Sequence, residues 1–162
     1  MDTQLQIEAL AKRSRWSVDQ IGRDFAVLVR YGFAVMFLVT GIAKLSSGEV
    51  FIESIRGYGL VPVAAVDVVA AVVIVSELGL GIWLASGHAR REALWTAAAG
   101  LLGFGAIVAV AAWRGAAGDC GCFSGVAESS IGLGAIVRNA ALAAVAINAA
   151  VVDRPRAIFI NN

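Results

Sequence analysis

The sequence has few of the charged residues with which a water-soluble domain covers its surface. Only 15% of its 162 residues are charged, whereas about a quarter are charged in a typical soluble domain. The formal net charge is +1, so the chain lacks the basic balance that is typical of nucleic-acid-binding proteins. The composition therefore argues against a soluble globular domain and gives no support to a nucleic-acid partner.

Residues that carry common catalytic chemistry are also scarce. The chain contains one histidine and two cysteines, and it has no phosphate-binding loop, no serine–histidine–aspartate set and no haem-attachment motif. A pair of thiolates is too few for a closed zinc site, which needs a full tetrahedral ligand set. The single histidine, His88, lies in a different predicted loop from the cysteines. No metal site is therefore predicted.

Long apolar runs take the place of the missing charge. Hydrophobic residues make up 59% of the chain, and about 20 residues of apolar helix cross a hydrocarbon core of about 30 Å. Only a helix satisfies its own backbone amides within one such segment, and no segment alternates as the strands of a membrane β-barrel do. The sequence predicts an all-α integral membrane protein, a bundle of four transmembrane helices at about 25–45, 62–85, 94–113 and 131–152.

The segments around these spans have patterns of their own. Residues 1–24 mix apolar and charged side chains, as expected of an amphipathic helix in the membrane interface. The spacing of Ser17–Gln20 matches a capping box and predicts that a new helix begins at Ser17. Apolar residues recur at helical intervals between 51 and 58, which predicts a short external helix after the first span. Residues 153–162 form a tail.

Basic residues are distributed unevenly between the two sides of the predicted bundle. Nine lie near the amino terminus, between the second and third spans, or after the fourth span, whereas the other two loops hold only Lys44, Arg56 and Arg114. Because cytoplasmic loops are enriched in lysine and arginine, both termini are predicted to be cytoplasmic. The predicted location is the bacterial inner membrane, with the cysteine loop on the extracytoplasmic side.

This loop contains the most specific motif, Cys120-Gly121-Cys122-Phe123. An extracytoplasmic compartment favours disulfides, and Gly121 tolerates the tight turn that a bridge between Cys120 and Cys122 needs. Strain in so small a ring makes a disulfide easier to reduce. Thiol–disulfide exchange is the favoured interpretation, a structural lock of the loop is nearly as well supported, and metal capture is the weakest alternative.

Charged residues within the predicted spans are the second group of candidate functional residues. An unpaired charge at membrane depth costs at least about 2.5–3.5 kcal/mol, so such groups usually find partners or water. Counting the helical rise from the ends of the spans predicts two ion pairs: Arg30 with Glu77, and Asp67 with Arg138 or Lys44. The first pair is interpreted mainly as fixing helix register. Arg138 starts close enough to the cysteine loop to lower the pKa of a thiol or to hold an anionic redox species.

Five motifs occur in a recognisable order along the spans and loops: Gly41-Ile42-Ala43-Lys44-Leu45, Phe51 to Pro62, Glu77-Leu78-Gly79-Leu80-Gly81, Cys120-Gly121-Cys122-Phe123 and Arg138-Asn139. In this order they resemble the MauE family of methylamine-utilisation membrane proteins, within the broader DoxX-like group. The resemblance covers residues 25–152. The family pattern usually has glycine directly after the phenylalanine, whereas Ser124 precedes Gly125 here.

The resemblance implies a membrane-embedded thiol–disulfide redox or maturation factor for an extracytoplasmic redox enzyme of the methylamine dehydrogenase type. Its partner would be an extracytoplasmic thioredoxin-like protein or an enzyme subunit. Four-helix disulfide oxidases have a similar layout, with a quinone between the helices, so a quinone is the one cofactor that stays open. The alternatives are a non-enzymatic accessory or scaffold subunit beside other membrane subunits, and transport of a small solute past Arg30 and Glu77.

Overall fold

A computed structural model describes residues 2–116, 118 and 130–153, with side chains from residue 20 onward. The helices are α1 (Asp2–Ser46), α2 (Gly48–Gly57), a single 3₁₀ turn (Val63–Ala65), α3 (Val66–Ser86), α4 (Arg90–Trp113) and α5 (Leu133–Val152). Four stretches within them, 20–46, 63–86, 90–113 and 133–152, are long and apolar enough to cross a membrane. The predicted fold class is confirmed, and the chain is a multi-pass membrane protein.

The amino-terminal helix differs from its prediction in one respect. Helix α1 runs without a break for 45 residues, so the predicted helix start at Ser17 is wrong. No proline or glycine precedes Gly22 in this segment, so no helix-breaking residue separates the residues before Ser17 from those after it. The helix therefore continues through the capping pattern. Residues 2–19 and the first span form one continuous helix.

The helices pack as two antiparallel pairs, α1 with α3 and α4 with α5, and the pairs are joined mainly where α1 meets α5. The α4–α5 half of the core is built largely from alanine. Its buried alanines are Ala93, Ala97, Ala98, Ala111, Ala135, Ala143, Ala146, Ala149 and Ala150. Small residues let helix backbones approach closely, which drives packing in a lipid medium where the hydrophobic effect between helices is absent.

The α1–α3 pair approaches closely at two glycines. A Cβ added to Gly41 would lie 2.8 Å from Leu78 Cδ2, and one added to Gly81 would lie 2.8 Å from Leu38 Cγ. Each glycine therefore receives a leucine from the opposite helix. This reciprocal contact fixes the register of α1 against α3.

That register leaves the first turns of α3 extending past the end of α1, and α2 packs there. Phe51 and Ile55 of α2 are buried against Val66 and Ala70 of α3. We call this end of the molecule, where α1 and α4 end and α5 begins, the loop end. The opposite end contains the α3–α4 turn and the end of α5, where Arg90 and Asp153 approach to 3.6 Å.

Candidate functional site

A buried ion pair joins α1 and α3 in the membrane-spanning region. Lys44 Nζ lies 2.9 Å from Glu77 Oε1 and 2.8 Å from Oε2, so it contacts both carboxylate oxygens. The Lys44 side chain is 1% exposed and that of Glu77 is 20% exposed. The ring of Phe51 lies over the ammonium at 5.4 Å, so α2 covers the pair from the loop end.

The predicted pairing of Arg30 with Glu77 is therefore wrong, because Glu77 pairs with Lys44. The prediction counted depth from the ends of the spans, as though α1 and α3 ended at the same level. The leucine–glycine contacts shift α3 toward the loop end and bring Glu77 level with the last turns of α1. Asp67, predicted to meet Arg138 or Lys44, is exposed in the first turn of α3, and among the described residues no ion pair involves it.

Arg30 instead holds the end of α3. Its Nη1 donates hydrogen bonds to the carbonyl oxygens of Leu84 and Ala85, and Gly87 ends the helix with a left-handed φ of 71°. The last carbonyls of a helix lack intrahelical partners and carry partial negative charge, so a buried guanidinium stabilises them. Arg30 thus has a structural contact at the end of the molecule opposite the cysteine loop.

A cavity of about 370 Å³ lies between α1, α3, α4 and α5. Most of its walls are apolar, including Phe37, Leu101 and Phe104. The polar side chains in its lining are Thr40, Ser76, Glu77, Arg138 and Asn139. A mainly apolar pocket with a few polar groups is the usual form of a small-molecule site.

Two neighbours on α5, Arg138 and Asn139, supply one wall of this cavity. Asn139 is buried, and its Nδ2 donates to the carbonyl oxygen of Ala135 at 2.8 Å. Arg138 is half-buried and lies in the second turn of α5. The structure therefore brings Arg138 and Glu77, the partner of Lys44, to one cavity.

The predicted redox residues Cys120, Gly121, Cys122 and Phe123 lie outside the described residues. The chain on either side of their segment is described, and its two ends meet. The backbone N–H of Ile131 donates to the carbonyl oxygen of Gly118 at 2.8 Å. The described residues on either side of the cysteine segment are therefore held together at the loop end, between α4 and α5.

Comparison with known proteins decides the family. The family model "Methylamine utilisation protein MauE" matches residues 23–152. The chain belongs to the MauE family. It is 32% identical over 120 residues to the methylamine utilization protein MauE of Paracoccus denitrificans, an alignment that covers 74% of this chain and 64% of that protein. The identity to MauE of Paracoccus versutus is 34% over 123 residues, covering 75% of this chain and 66% of that protein.

The chain thus spans just under two thirds of the length of these two MauE proteins. No solved structure matches it. The family resemblance that the sequence motifs predicted is confirmed, over nearly the range expected from those motifs.

The structure gives a physical reason for two of the motifs that carry the MauE resemblance. The segments 41–45 of α1 and 77–81 of α3 lie side by side, joined by the Lys44–Glu77 pair and by the packing of Leu78 on Gly41. The glycines permit the close approach, and the charges pair within it. These motifs are therefore two halves of one helix–helix contact.

Sequence reasoning named Asn139 only as part of a family motif and missed Thr40 and Ser76, the other uncharged polar residues of the cavity. Thr40 and Asn139 are buried. Both lie inside predicted spans, where a polar side chain is costly unless it has a partner or a function. An uncharged polar residue inside a predicted span is therefore a sequence signal for such a site.

Proposed function

We propose that this MauE-family chain is a thiol–disulfide redox or maturation factor in methylamine utilisation, acting on an extracytoplasmic redox enzyme. The carrying observation is the cysteine pair, the only cysteines of the chain, in a segment whose ends are held together at the loop end. Both Paracoccus relatives are methylamine utilization proteins, which supports the pathway. Cys120 and Cys122 form the exchanging pair, Gly121 permits their turn, and Phe123 completes the motif.

In this proposal the pair oxidises thiols of a thioredoxin-like protein or of the enzyme subunit itself. A thiolate of the substrate attacks one sulfur of the Cys120–Cys122 disulfide and forms a mixed disulfide. The second substrate thiolate then resolves that bond, leaving the substrate oxidised and both cysteines reduced. Arg138, at the base of the loop, supplies positive charge that favours a thiolate nearby.

The first prediction concerns the reduction potential of the pair. In the purified protein, Cys120 and Cys122 are expected to titrate as one reversible two-electron couple between about −270 and −120 mV, the range of thiol–disulfide oxidoreductases. The measurement is maleimide labelling after equilibration in glutathione or dithiothreitol buffers. A pair that stays oxidised in strong dithiothreitol, or never oxidises, contradicts the redox proposal.

Single substitutions give a second readout of the same pair. In membranes, Cys120→Ser or Cys122→Ser leaves one thiol that cannot resolve a mixed disulfide, so partner adducts accumulate on non-reducing gels. The matched control is the double variant Cys120→Ser/Cys122→Ser, which can form none. A structural lock yields no adduct with either single variant.

We further propose that the loop end faces the extracytoplasmic side of the bacterial inner membrane and that both termini are cytoplasmic. The excess of lysine and arginine in the segments at the opposite end supports this orientation. A membrane-impermeant maleimide added to intact spheroplasts after reduction is expected to label the wild-type protein and not the double cysteine variant. Labelling only after the membrane is opened contradicts this orientation.

One observation favours a second candidate function, that of an accessory or scaffold subunit. Residues 2–19 continue α1 beyond the span at 20–46, and at about 1.5 Å per residue they extend it by about 27 Å. A projecting amphipathic helix is suited to docking on a neighbouring subunit. This function predicts that the double cysteine variant still supports maturation of the enzyme, whereas the redox function predicts that it does not.

A further inference from the structure

The cavity opens between α3 and α4 at the level of the membrane. Val72 and Ser76 of α3 and Gly103 and Ile107 of α4 line it and are exposed, whereas its floor is formed by the buried Phe37 and Leu101. Both helices are membrane spans, so the opening faces lipid rather than water. A ligand would enter sideways from the bilayer and must itself be lipophilic.

The polar groups in the cavity limit what such a ligand is. Arg138 is a hydrogen-bond donor without acceptor capacity, and the Glu77 carboxylate is an acceptor. The Glu77 carboxylate already accepts hydrogen bonds from Lys44 Nζ, but its two oxygens have further lone pairs that can accept hydrogen bonds from other donors. The cavity therefore suits a flat apolar molecule whose oxygen atoms accept hydrogen bonds in one state and donate them in another.

We propose that this cavity is the binding site of a membrane quinone, which re-oxidises the cysteine pair. A quinone has only carbonyl acceptors, for which Arg138 is the donor, whereas the quinol gains hydroxyl donors, for which Glu77 is an acceptor. Phe37 and Phe104 offer apolar ring surfaces to the head group. The site is large enough, since pockets for small ligands begin at about 300 Å³.

This inference rests on the proposed function for its chemistry, because thiol oxidation needs an electron acceptor. The reduced Cys120 and Cys122 lose two electrons and two protons as their sulfur–sulfur bond forms. The quinone takes up both electrons, and its carbonyl oxygens take up two protons, giving the quinol. Electrons and atoms balance, and the bilayer supplies fresh quinone and removes quinol through the opening between α3 and α4.

The test fills the cavity without disturbing the bundle. A Cβ added to Gly103 meets nothing within 4 Å, so Gly103→Leu places its side chain in open space at the cavity wall. Gly79→Leu is the matched control, since Gly79 is an exposed helical glycine of α3 with equally open surroundings but does not line the cavity. The probe is a photoreactive short-chain ubiquinone, bound to protein in lipid nanodiscs and mapped by mass spectrometry.

The expected result is labelling within residues 72–80 or 100–107 of the wild type and of Gly79→Leu, with affinity weakened about tenfold or more in Gly103→Leu. Equal affinity in Gly103→Leu and wild type, or equal loss in both variants, overturns the proposal. So does labelling that excess phospholipid removes as well as excess decylubiquinone, because the cavity then holds lipid. Binding is measured independently of the cysteines, so an irreversible cysteine pair with specific quinone binding would refute the thiol function and leave the cavity assignment standing.

Discussion

Replacing Lys44 with methionine is expected to cost about 3–5 kcal/mol of folding free energy, the usual cost of removing one partner from a buried ion pair. Methionine keeps the length and apolar stem of lysine, so the change removes little besides the charge. Glu77 then lies in the membrane-spanning region without the ammonium that contacts both of its oxygens. The measurement is unfolding of the purified protein in mixed micelles, followed by circular dichroism during titration with sodium dodecyl sulfate.

The control for this prediction lies in the same chain. Arg56 and Glu53 of α2 form an exposed ion pair at 3.0 Å, and Arg56→Met is expected to cost less than about 1 kcal/mol. The double variant Lys44→Met/Glu77→Gln removes both charges and is expected to recover much of the lost stability. A double variant that is as unstable as the sum of both single variants would show that the two residues are not coupled.

The helices and the family could be predicted from sequence because each rests on local information. A run of about 20 apolar residues has one stable form in lipid, whatever its neighbours are. The short helix α2 also has a local signal, since its buried Phe51 and Ile55 recur at a helical interval. The prediction that a helix begins at Ser17 failed because the residues before Ser17 are helical as well. A capping pattern marks a helix start only where the preceding residues are not helical.

The pairing of charges could not be predicted in this way, because it depends on the register between helices. Depth counted along a span predicts which residues face each other only if neighbouring helices end at one level. At the loop end, however, the first turns of α3 extend past the end of α1. The decisive residues are Gly41 and Gly81, which set the register by contact and not by charge. Because the ends of α1 and α3 lie at different levels, Glu77 pairs with Lys44 and not with the predicted Arg30.

The cavity was beyond sequence reasoning for a related reason. It exists because α3 and α4, although consecutive in the chain, contact each other much less than α1 contacts α3 or α4 contacts α5. A gap between two helices has no local sequence pattern. Gly100 and Gly103 contribute to the space, but glycines on a span predict close packing as readily as a gap. Only the assembled bundle distinguishes Gly81, where Leu38 occupies the space beside the glycine, from Gly103, where that space is open.

The space around each glycine predicts opposite effects of alanine at Gly81 and Gly79, both in α3. Gly81→Ala is expected to destabilise the bundle by about 1–3 kcal/mol, the cost of overpacking a close contact. The new Cβ would lie 2.8 Å from Leu38 Cγ and 3.1 Å from its backbone nitrogen, so relief requires the helices to move apart. Gly79→Ala meets nothing within 4 Å and is expected to be neutral or to stabilise by up to about 1 kcal/mol through helix propensity.

The same detergent titration measures both variants, and a third variant identifies the cause. Gly81→Ala/Leu38→Ala removes the leucine that the new methyl group meets, so it is expected to be less destabilised than the sum of its two single substitutions. The recovery is partial, because the contact with the Leu38 backbone remains. Equal stability of Gly81→Ala and Gly79→Ala would contradict the reciprocal leucine–glycine contact, and with it the register that places Lys44 opposite Glu77.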